Sequence, residues 1–89
     1  MAGTRAAAPL LISDEQRAGL EAIANSPSLP HRAVRQAQGL LDAADAVANE
    51  EIGRRRGVSA NTVRAWRTSF GRRGVAGVGV VAEGRGRRP

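Results

Sequence analysis

Alanine is by far the most frequent of the apolar residues from which this chain can build a core. Of its 37 hydrophobic residues 17 are alanines, and the two aromatic residues are Trp66 and Phe70. Alanine is the best helix former, whereas strands favour β-branched and aromatic side chains. A chain of 89 residues with this composition is therefore expected to fold as one small all-α domain with loose ends, and its length excludes a multidomain enzyme.

Helix caps and apolar spacing predict the first two helices. Ser13 and Gln16 have the spacing of a capping box, so α1 is expected over residues 14–24. Pro30 suits the first turn of α2, which is expected to end near Ala46. The residues expected on the buried face of α2 are Val34, Ala37, Leu40, Leu41 and Ala44.

Two shorter helices are predicted to follow. Asn49 is the expected N-cap of α3, and Gly57 is expected to end that helix in a left-handed conformation. Ser59 is the expected N-cap of α4, which should reach about Phe70. The predicted fold is thus a small four-helix, homeodomain-like bundle that contains a helix-turn-helix.

The ends of the chain are expected to lie outside this bundle. Residues 1–9 are predicted to be a flexible N-terminus, residues 10–73 the helical domain, and residues 74–89, with five glycines in 16 positions, a flexible basic tail. The valines of this tail are the residues that could dock on the helices: Val75, Val78, Val80 and Val81.

Positive charge is concentrated in the second half of the chain. The chain has 14 Arg, no Lys and a net charge of +6. Residues 1–53 carry four Arg against seven acids, whereas residues 54–89 carry ten Arg against Glu83 alone. This asymmetry favours an anionic partner for the second half.

The sequence gives no support for several other classes of function. The chain has no Cys, no apolar run long enough for a membrane span and no signal peptide, so a cytoplasmic protein without cofactor or metal is expected. Asp42 and Asp45 could be imagined as paired carboxylates, but a solvated acidic face is the expectation. His31 is expected at the surface or in a cap, and Trp66 is expected in the core rather than stacked on a base.

Residues 49–68 have the pattern of a helix-turn-helix. Gly57 allows positive φ in the sharp turn, and Gly53 allows close approach four positions earlier. The apolar positions that such a unit needs are occupied by Ile52, Val58, Val63 and Trp66. Arg56 departs from the apolar residue usual at its position, so either its stem packs while the guanidinium reaches solvent, or α3 is looser than usual.

This unit predicts contacts to duplex DNA. In helix-turn-helix proteins the second helix enters the major groove. The residues expected to face outward there are Ser59, Ala60, Asn61, Arg64, Ala65 and Thr68. Arg64 suits guanine and Asn61 suits adenine. Phosphate contacts are expected from Thr62, Arg67, Arg54 and Arg55. The alternative is the solvated face of an ordinary helical hairpin.

The tail offers a second, weaker signal for DNA binding. Arg85 and Arg87 lie in an Arg-Gly-Arg segment, which is narrow enough for an A·T-rich minor groove. The alternative is a basic end that serves only solubility or nonspecific attraction.

An ordered series of segments gives the chain a family resemblance. Residues 11–17, 28–32, 43–45, 49–52, 57–59 and 61–67 together resemble the N-terminal region of bacterial insertion-sequence transposases of the mariner superfamily. Residues 74–89 look like the linker of that family. The resemblance implies binding of transposon terminal inverted repeats, whereas cutting and joining belong to a separate RNase H-like domain with three metal-binding carboxylates. It therefore implies a non-catalytic DNA-binding module.

The leading hypothesis is sequence-specific binding of double-stranded DNA in the bacterial cytoplasm, in association with the nucleoid. The module would be a fragment, the first reading frame of a frameshifted element or a free-standing protein, with a separately encoded catalytic transposase subunit and a homodimer as further partners to test. One alternative is a stand-alone helix-turn-helix transcription regulator. Another is a helical protein-interaction adaptor that dimerises through its acidic first half.

Overall fold

The computed structural model describes residues 8–79, which are all-helical and contain no strand. Their elements are α1 (Asp14–Ala24), α2 (His31–Ala44), α3 (Asn49–Arg56), α4 (Ala60–Arg73) and a 3₁₀ segment (Gly74–Gly77). The predicted fold class, a small all-α bundle of four helices, is confirmed. None of these described helices is long and apolar enough to cross a bilayer.

Three predicted helix ends are confirmed by their hydrogen bonds and backbone angles. The backbone N–H of Ser13 donates to Gln16 Oε1 at 2.9 Å, and the N–H of Gln16 donates to Ser13 Oγ at 3.0 Å, which completes the capping box. The N–H of Thr62 donates to Ser59 Oγ at 3.1 Å at the start of α4. Gly57 ends α3 with φ 74°, the left-handed conformation that glycine adopts without steric cost.

The start of α3 and the end of α2 differ from the prediction. Asn49 is the first residue of α3 rather than its N-cap, and Ala48 at the cap position has no side chain that could bond the backbone. Asn49 Oδ1 instead accepts a hydrogen bond from Arg67 Nε at 2.9 Å. A tertiary partner has therefore replaced the local cap. Helix α2 ends at Ala44, because Ala46 adopts a positive φ of 66°.

Helix α2 lies at the centre of the bundle and contributes to both parts of the core. One part of the core lies between α1, α2 and α4 and contains Leu20, Leu40 and Phe70. The other part lies between α2, α3 and α4 and contains Ile52 and Val63. The buried stripe of α2 runs along Ala33, Ala37, Leu40 and Ala43. Val34, Leu41 and Ala44, which were expected on this face, are only half-buried. The buried face is thus rotated toward smaller residues, which let the neighbouring helices approach closely.

Gly39 makes room in the middle of α2 for the indole of Trp66. A Cβ at Gly39 would lie 2.5 Å from Cζ3 and 2.8 Å from Cε3 of that ring. Glycine inside a helix costs about 0.5–1 kcal/mol relative to alanine, and here the close contact between α2 and α4 offsets that cost. Trp66 is half-buried and packs against both core clusters, so its expected core role is confirmed.

The helical domain extends beyond the boundary expected at residue 73. Helix α4 continues to Arg73, three residues past Phe70, and residues 74–79 fold back on the bundle. The N–H of Gly79 donates to Gln36 Oε1 at 3.0 Å, and Val75 and Val78 pack against the first core cluster. The expectation of a flexible tail from residue 74 is therefore wrong for residues 74–79. The rest of that predicted tail, with Arg85, Arg87, Val80 and Val81, lies outside the described residues.

Candidate nucleic-acid interface

The connection between α3 and α4 is the sharp turn that the glycine spacing predicts. The N–H of Val58 donates to the carbonyl of Gly53 at 2.9 Å. A Cβ at Gly53 would lie only 2.5 Å from the carbonyl oxygen of Val58, so a larger residue would push the turn away from α3. Ile52 and Val63 are fully buried where the two helices meet. This packing fixes the direction in which α4 leaves the turn.

One face of α4 is open to solvent along its length. Val63 and Phe70 are buried on one side of the helix, while Asn61, Arg64, Ala65 and Thr68 are exposed, as predicted, on the other. Arg72 is also exposed and follows Thr68 by one helical turn, so it lies on the same face. From Asn61 to Arg72 this face is about 16 Å long at 1.5 Å per residue.

The first turn of α4 is used mainly for capping. Ser59 is exposed, but its Oγ accepts the N–H of Thr62 and lies 3.1 Å from Thr62 Oγ1. Ala60 and Thr62 are half-buried. The expectation that Ala60 faces outward is therefore only partly met, because Gly53 of α3 packs against the backbone at the start of α4.

Arg64 and Asn61 are in direct contact on the open face of α4. Arg64 Nη1 donates a hydrogen bond to Asn61 Oδ1 at 2.6 Å, three residues earlier in the helix. Both residues are exposed. The structure thus joins two side chains that sequence reasoning treated as separate base-reading residues.

Arg67 is turned into the protein instead of toward the surface. Its Nε donates to Asn49 Oδ1 at 2.9 Å, and its Nη1 donates to the carbonyl of Ala8 at 3.1 Å. Its Nη2 is buried and has no hydrogen-bond partner within the described residues. The guanidinium ties α4 to α3 and to the segment before α1, so the expected phosphate contact by Arg67 is not available in this conformation.

Two exposed arginines of α3 share one carboxylate. Arg54 forms an ion pair with Glu51, and Arg55 Nε donates to Glu51 Oε2 at 3.2 Å. Arg55 Nη1 also lies 3.5 Å from Asp42 Oδ1 on α2. The hydrogen bonds from Arg54 and Arg55 lower the pKa of the Glu51 carboxyl from its usual range. Arg54 and Arg55 are exposed as predicted, but their charges are partly neutralised.

Arg56 takes neither of the two arrangements expected for it. Its Nε donates to Asp42 Oδ2 at 3.0 Å, and its Nη1 donates to Gln38 Oε1 at 3.3 Å. The side chains of Arg56 and Asp42 are 24% and 13% exposed. An ion pair between α3 and α2 therefore occupies the place where helix-turn-helix units usually have an apolar contact. This also corrects the prediction that Asp42 belongs to a solvated face.

Asp45 and His31 are at the surface, as the sequence suggested. Asp45 is 63% exposed and pairs with Arg17 at 3.2 Å, and His31 is exposed at the start of α2. Within residues 8–79, no group of three or more acidic or histidine side chains is arranged to hold a metal ion.

Arg72 is the functional candidate that sequence reasoning missed. The predicted helix ended near Phe70, which left Arg72 beyond the end of α4. Its spacing of four residues from Thr68 would have placed it on the open face if the helix had been extended by three residues. Among the described residues none of the α4 arginines (Arg64, Arg67, Arg72 and Arg73) forms an ion pair.

Comparisons of the chain with models of protein families, with curated proteins and with solved structures find no match.

Proposed function

We propose that this protein binds double-stranded DNA in a sequence-specific manner through the open face of α4. The observation that carries the proposal is the composition of that face, which combines Asn61, Arg64, Thr68 and Arg72. Helix α4 contains no acidic residue. Such a face offers hydrogen-bond donors and uncompensated positive charge, which suit base edges and phosphates.

The dimensions of α4 fit a major groove. A helix with its side chains is about 10–12 Å across, and the major groove of B-DNA is about 12 Å wide. Ala65 lies in the middle of the open face, where its small side chain permits close approach. With α4 lying in the major groove, Arg64 reaches a guanine, and Thr68 follows one turn further along the helix.

Phosphate contacts are proposed on both sides of this central region. Arg54 and Arg55 lie near the end of α3, and Arg72 and Arg73 lie at the end of α4. The α4 pair is the stronger candidate, because Arg54 and Arg55 already contact Glu51. Arg85 and Arg87 are proposed to enter the adjacent minor groove, where arginine is favoured by the negative potential of A·T-rich segments.

The wider role that we propose is the non-catalytic DNA-binding part of a transposase, acting on the terminal inverted repeats of a bacterial element. The segments that resemble mariner-superfamily transposases support this role. A separately encoded catalytic subunit is then the expected partner, in the bacterial cytoplasm. A transcription regulator would use the same face of α4, so the location of the bound sites in the genome distinguishes the two roles.

The central experiment is a salt titration of binding to a duplex selected from a random library. About five to seven phosphate contacts should lower the affinity roughly 10²- to 10³-fold or more between 50 and 200 mM salt. Supercoiled plasmid with Mg²⁺ should remain uncut by the pure protein. An affinity that does not change with salt, or metal-dependent nicking, would overturn the proposal.

A genomic version of the selection tests the transposase role. Bound fragments should map to paired inverted repeats at the ends of an element. Enrichment at promoters without such repeats would instead support the regulator.

A further inference from the structure

The contact between Asn61 and Arg64 bears on how the open face of α4 would read a sequence. The distance of 2.6 Å between Arg64 Nη1 and Asn61 Oδ1 is that of a short hydrogen bond. Asn61 lies in the first turn of α4, whose backbone is fixed by the Ser59 cap. The short side chain of Asn61 thus presents its amide oxygen from a fixed backbone position to the longer, more flexible arginine.

An amide acceptor has a different effect on arginine from that of a carboxylate. It restricts the guanidinium to fewer rotamers, so less conformational freedom remains to be lost on binding. It leaves the positive charge uncompensated, whereas the carboxylate of Glu51 partly neutralises Arg54 and Arg55. Arg64 therefore keeps its full positive charge in a restricted orientation.

The N–H groups of Arg64 that remain free are sufficient to form two hydrogen bonds with a base. A guanidinium has five N–H groups in a planar fork, and the bond to Asn61 engages one end of it. The edge formed by Nε and Nη2 has no hydrogen bond to the described residues, and a two-pronged edge of this kind matches O6 and N7 of guanine.

We propose that Asn61 is a positioning residue for Arg64, and that the two side chains together read one guanine. This inference rests on the proposed DNA binding and deepens it. It replaces the simpler expectation that Asn61 reads an adenine of its own. The two models differ in which base pair responds to the loss of Asn61.

The test is a selection from a randomised duplex library, followed by titrations, with the full 89-residue chain and the variants Asn61→Ala, Arg64→Ala and the double variant. Asn61→Ala should lower the preference for guanine about threefold to tenfold at the same position where Arg64→Ala abolishes it. The double variant should behave like Arg64→Ala alone, because a positioning residue has no effect once its partner is gone.

Thr68→Ala is the matched control. Thr68 is also a polar residue on the open face, and no hydrogen bond joins it to Arg64 within the described residues. Its removal should leave the preference at the Arg64 position unchanged. The helical circular dichroism and thermal unfolding of every variant should match those of the parent chain, since all three residues are exposed.

Two results would overturn the inference, and they are distinguishable. If Asn61→Ala relaxes the preference at a neighbouring base pair and its effect adds to that of Arg64→Ala, Asn61 reads its own base while the proposed DNA binding stands. If the parent chain selects no sequence at all, sequence-specific binding fails and the inference fails with it.

Discussion

The arginines of α3 and those of α4 have contrasting partners. Arg54, Arg55 and Arg56 all contact a carboxylate, either Glu51 or Asp42. On α4, Arg64 and Arg67 donate instead to neutral oxygen atoms of Asn61, Asn49 and Ala8. Arginine on α3 thus pairs with acids and helps to hold α3 on the bundle. Arginine on α4 keeps an uncompensated positive charge.

This contrast shows why the number of arginines in a segment does not measure its capacity for an anionic partner. An arginine paired with a carboxylate must exchange one anion for another when a phosphate arrives, whereas an arginine held by an amide gains an ion pair. The three consecutive arginines of α3 are the densest basic run in the sequence, yet the acids around them reduce their net charge to about one. The four arginines of α4 are spread along the helix without such a run, yet they leave more available charge.

The largest expected effect tests the structural role of the α3 arginines. Asp42→Ala removes the partner of Arg56 and one partner of Arg55, and it leaves a guanidinium that is only 24% exposed without its carboxylate. Breaking a buried ion pair costs about 3–5 kcal/mol. Since this pair is partly exposed, we expect a loss of about 2–3 kcal/mol in the free energy of unfolding measured with urea.

Asp45→Ala is the control for this substitution, because Asp45 is 63% exposed beside Arg17. Its effect should stay within about 0.5 kcal/mol, as is usual for surface ion pairs. Equal losses for the two variants would show that the Arg56 contact does not fasten α3 to α2.

The second prediction compares arginines from the two helices in DNA binding. Arg64→Ala should cost about 1–3 kcal/mol on the selected site and less on scrambled duplexes. Arg54→Ala and Arg72→Ala should weaken binding to all duplexes alike, with the larger loss for Arg72→Ala. Titrations of the three variants against selected and scrambled duplexes measure these differences, and a sequence-dependent loss for Arg54→Ala would reverse the assignment.

The third prediction concerns the removal of the Glu51 carboxylate, which contacts two arginines of α3. Glu51→Gln should raise the affinity for every duplex about threefold to fivefold at low salt, because it removes one negative charge, frees Arg54 and leaves Arg55 with Asp42 alone. Glu50→Gln makes the same charge change at an exposed neighbour that has no ion pair within the described residues. If both variants gain equally, net charge alone explains the effect.

Acidification should act like Glu51→Gln. Because the pKa of Glu51 is lowered in the folded chain, its stabilising contacts are fully present above the usual pKa of glutamate. They are lost as the pH falls through the lowered pKa. The contacts of Arg54 and Arg55 with Glu51 are then lost only below the usual titration range of a glutamate.

The smallest expected effect concerns the residues after the bundle. Deletion of residues 82–89 should reduce affinity modestly, shorten the protected footprint on one side and remove a preference for A·T pairs next to the main site. The helical circular dichroism should not change, because the described contacts of the bundle end at Gly79. An unchanged footprint and an unchanged flanking preference would restrict the DNA contacts to α3 and α4.

Local signals predicted the helices well, and tertiary contacts account for the errors. The caps at Ser13 and Ser59 and the left-handed Gly57 depend on residues within one turn, so their sequence determines them. Asn49 has an equally good local signal for a cap, but the guanidinium of Arg67, 18 residues away, takes its side chain. The spacing of one helix contains no information about such a partner.

The candidate site shows the same limit. Exposure of Asn61, Arg64 and Thr68 follows from the period of the helix, so it could be predicted. The inward turn of Arg67 and the pairing of Arg56 with Asp42 require knowledge of which helices are neighbours. Arginine is long enough to reach either solvent or an adjacent helix, and composition does not decide between them.

The backbone of Gly79 is anchored on the bundle, and this limits how far the residues that follow it can reach. Its backbone accepts a hydrogen bond from Arg32 and donates one to Gln36, both near the start of α2. Because an extended chain spans at most about 3.6 Å per residue, the Cα atom of Arg85 can be no more than roughly 22 Å from that point and the Cα atom of Arg87 no more than roughly 29 Å. Any groove that these arginines enter must therefore pass within those distances of Gly79, extended by the length of one arginine side chain.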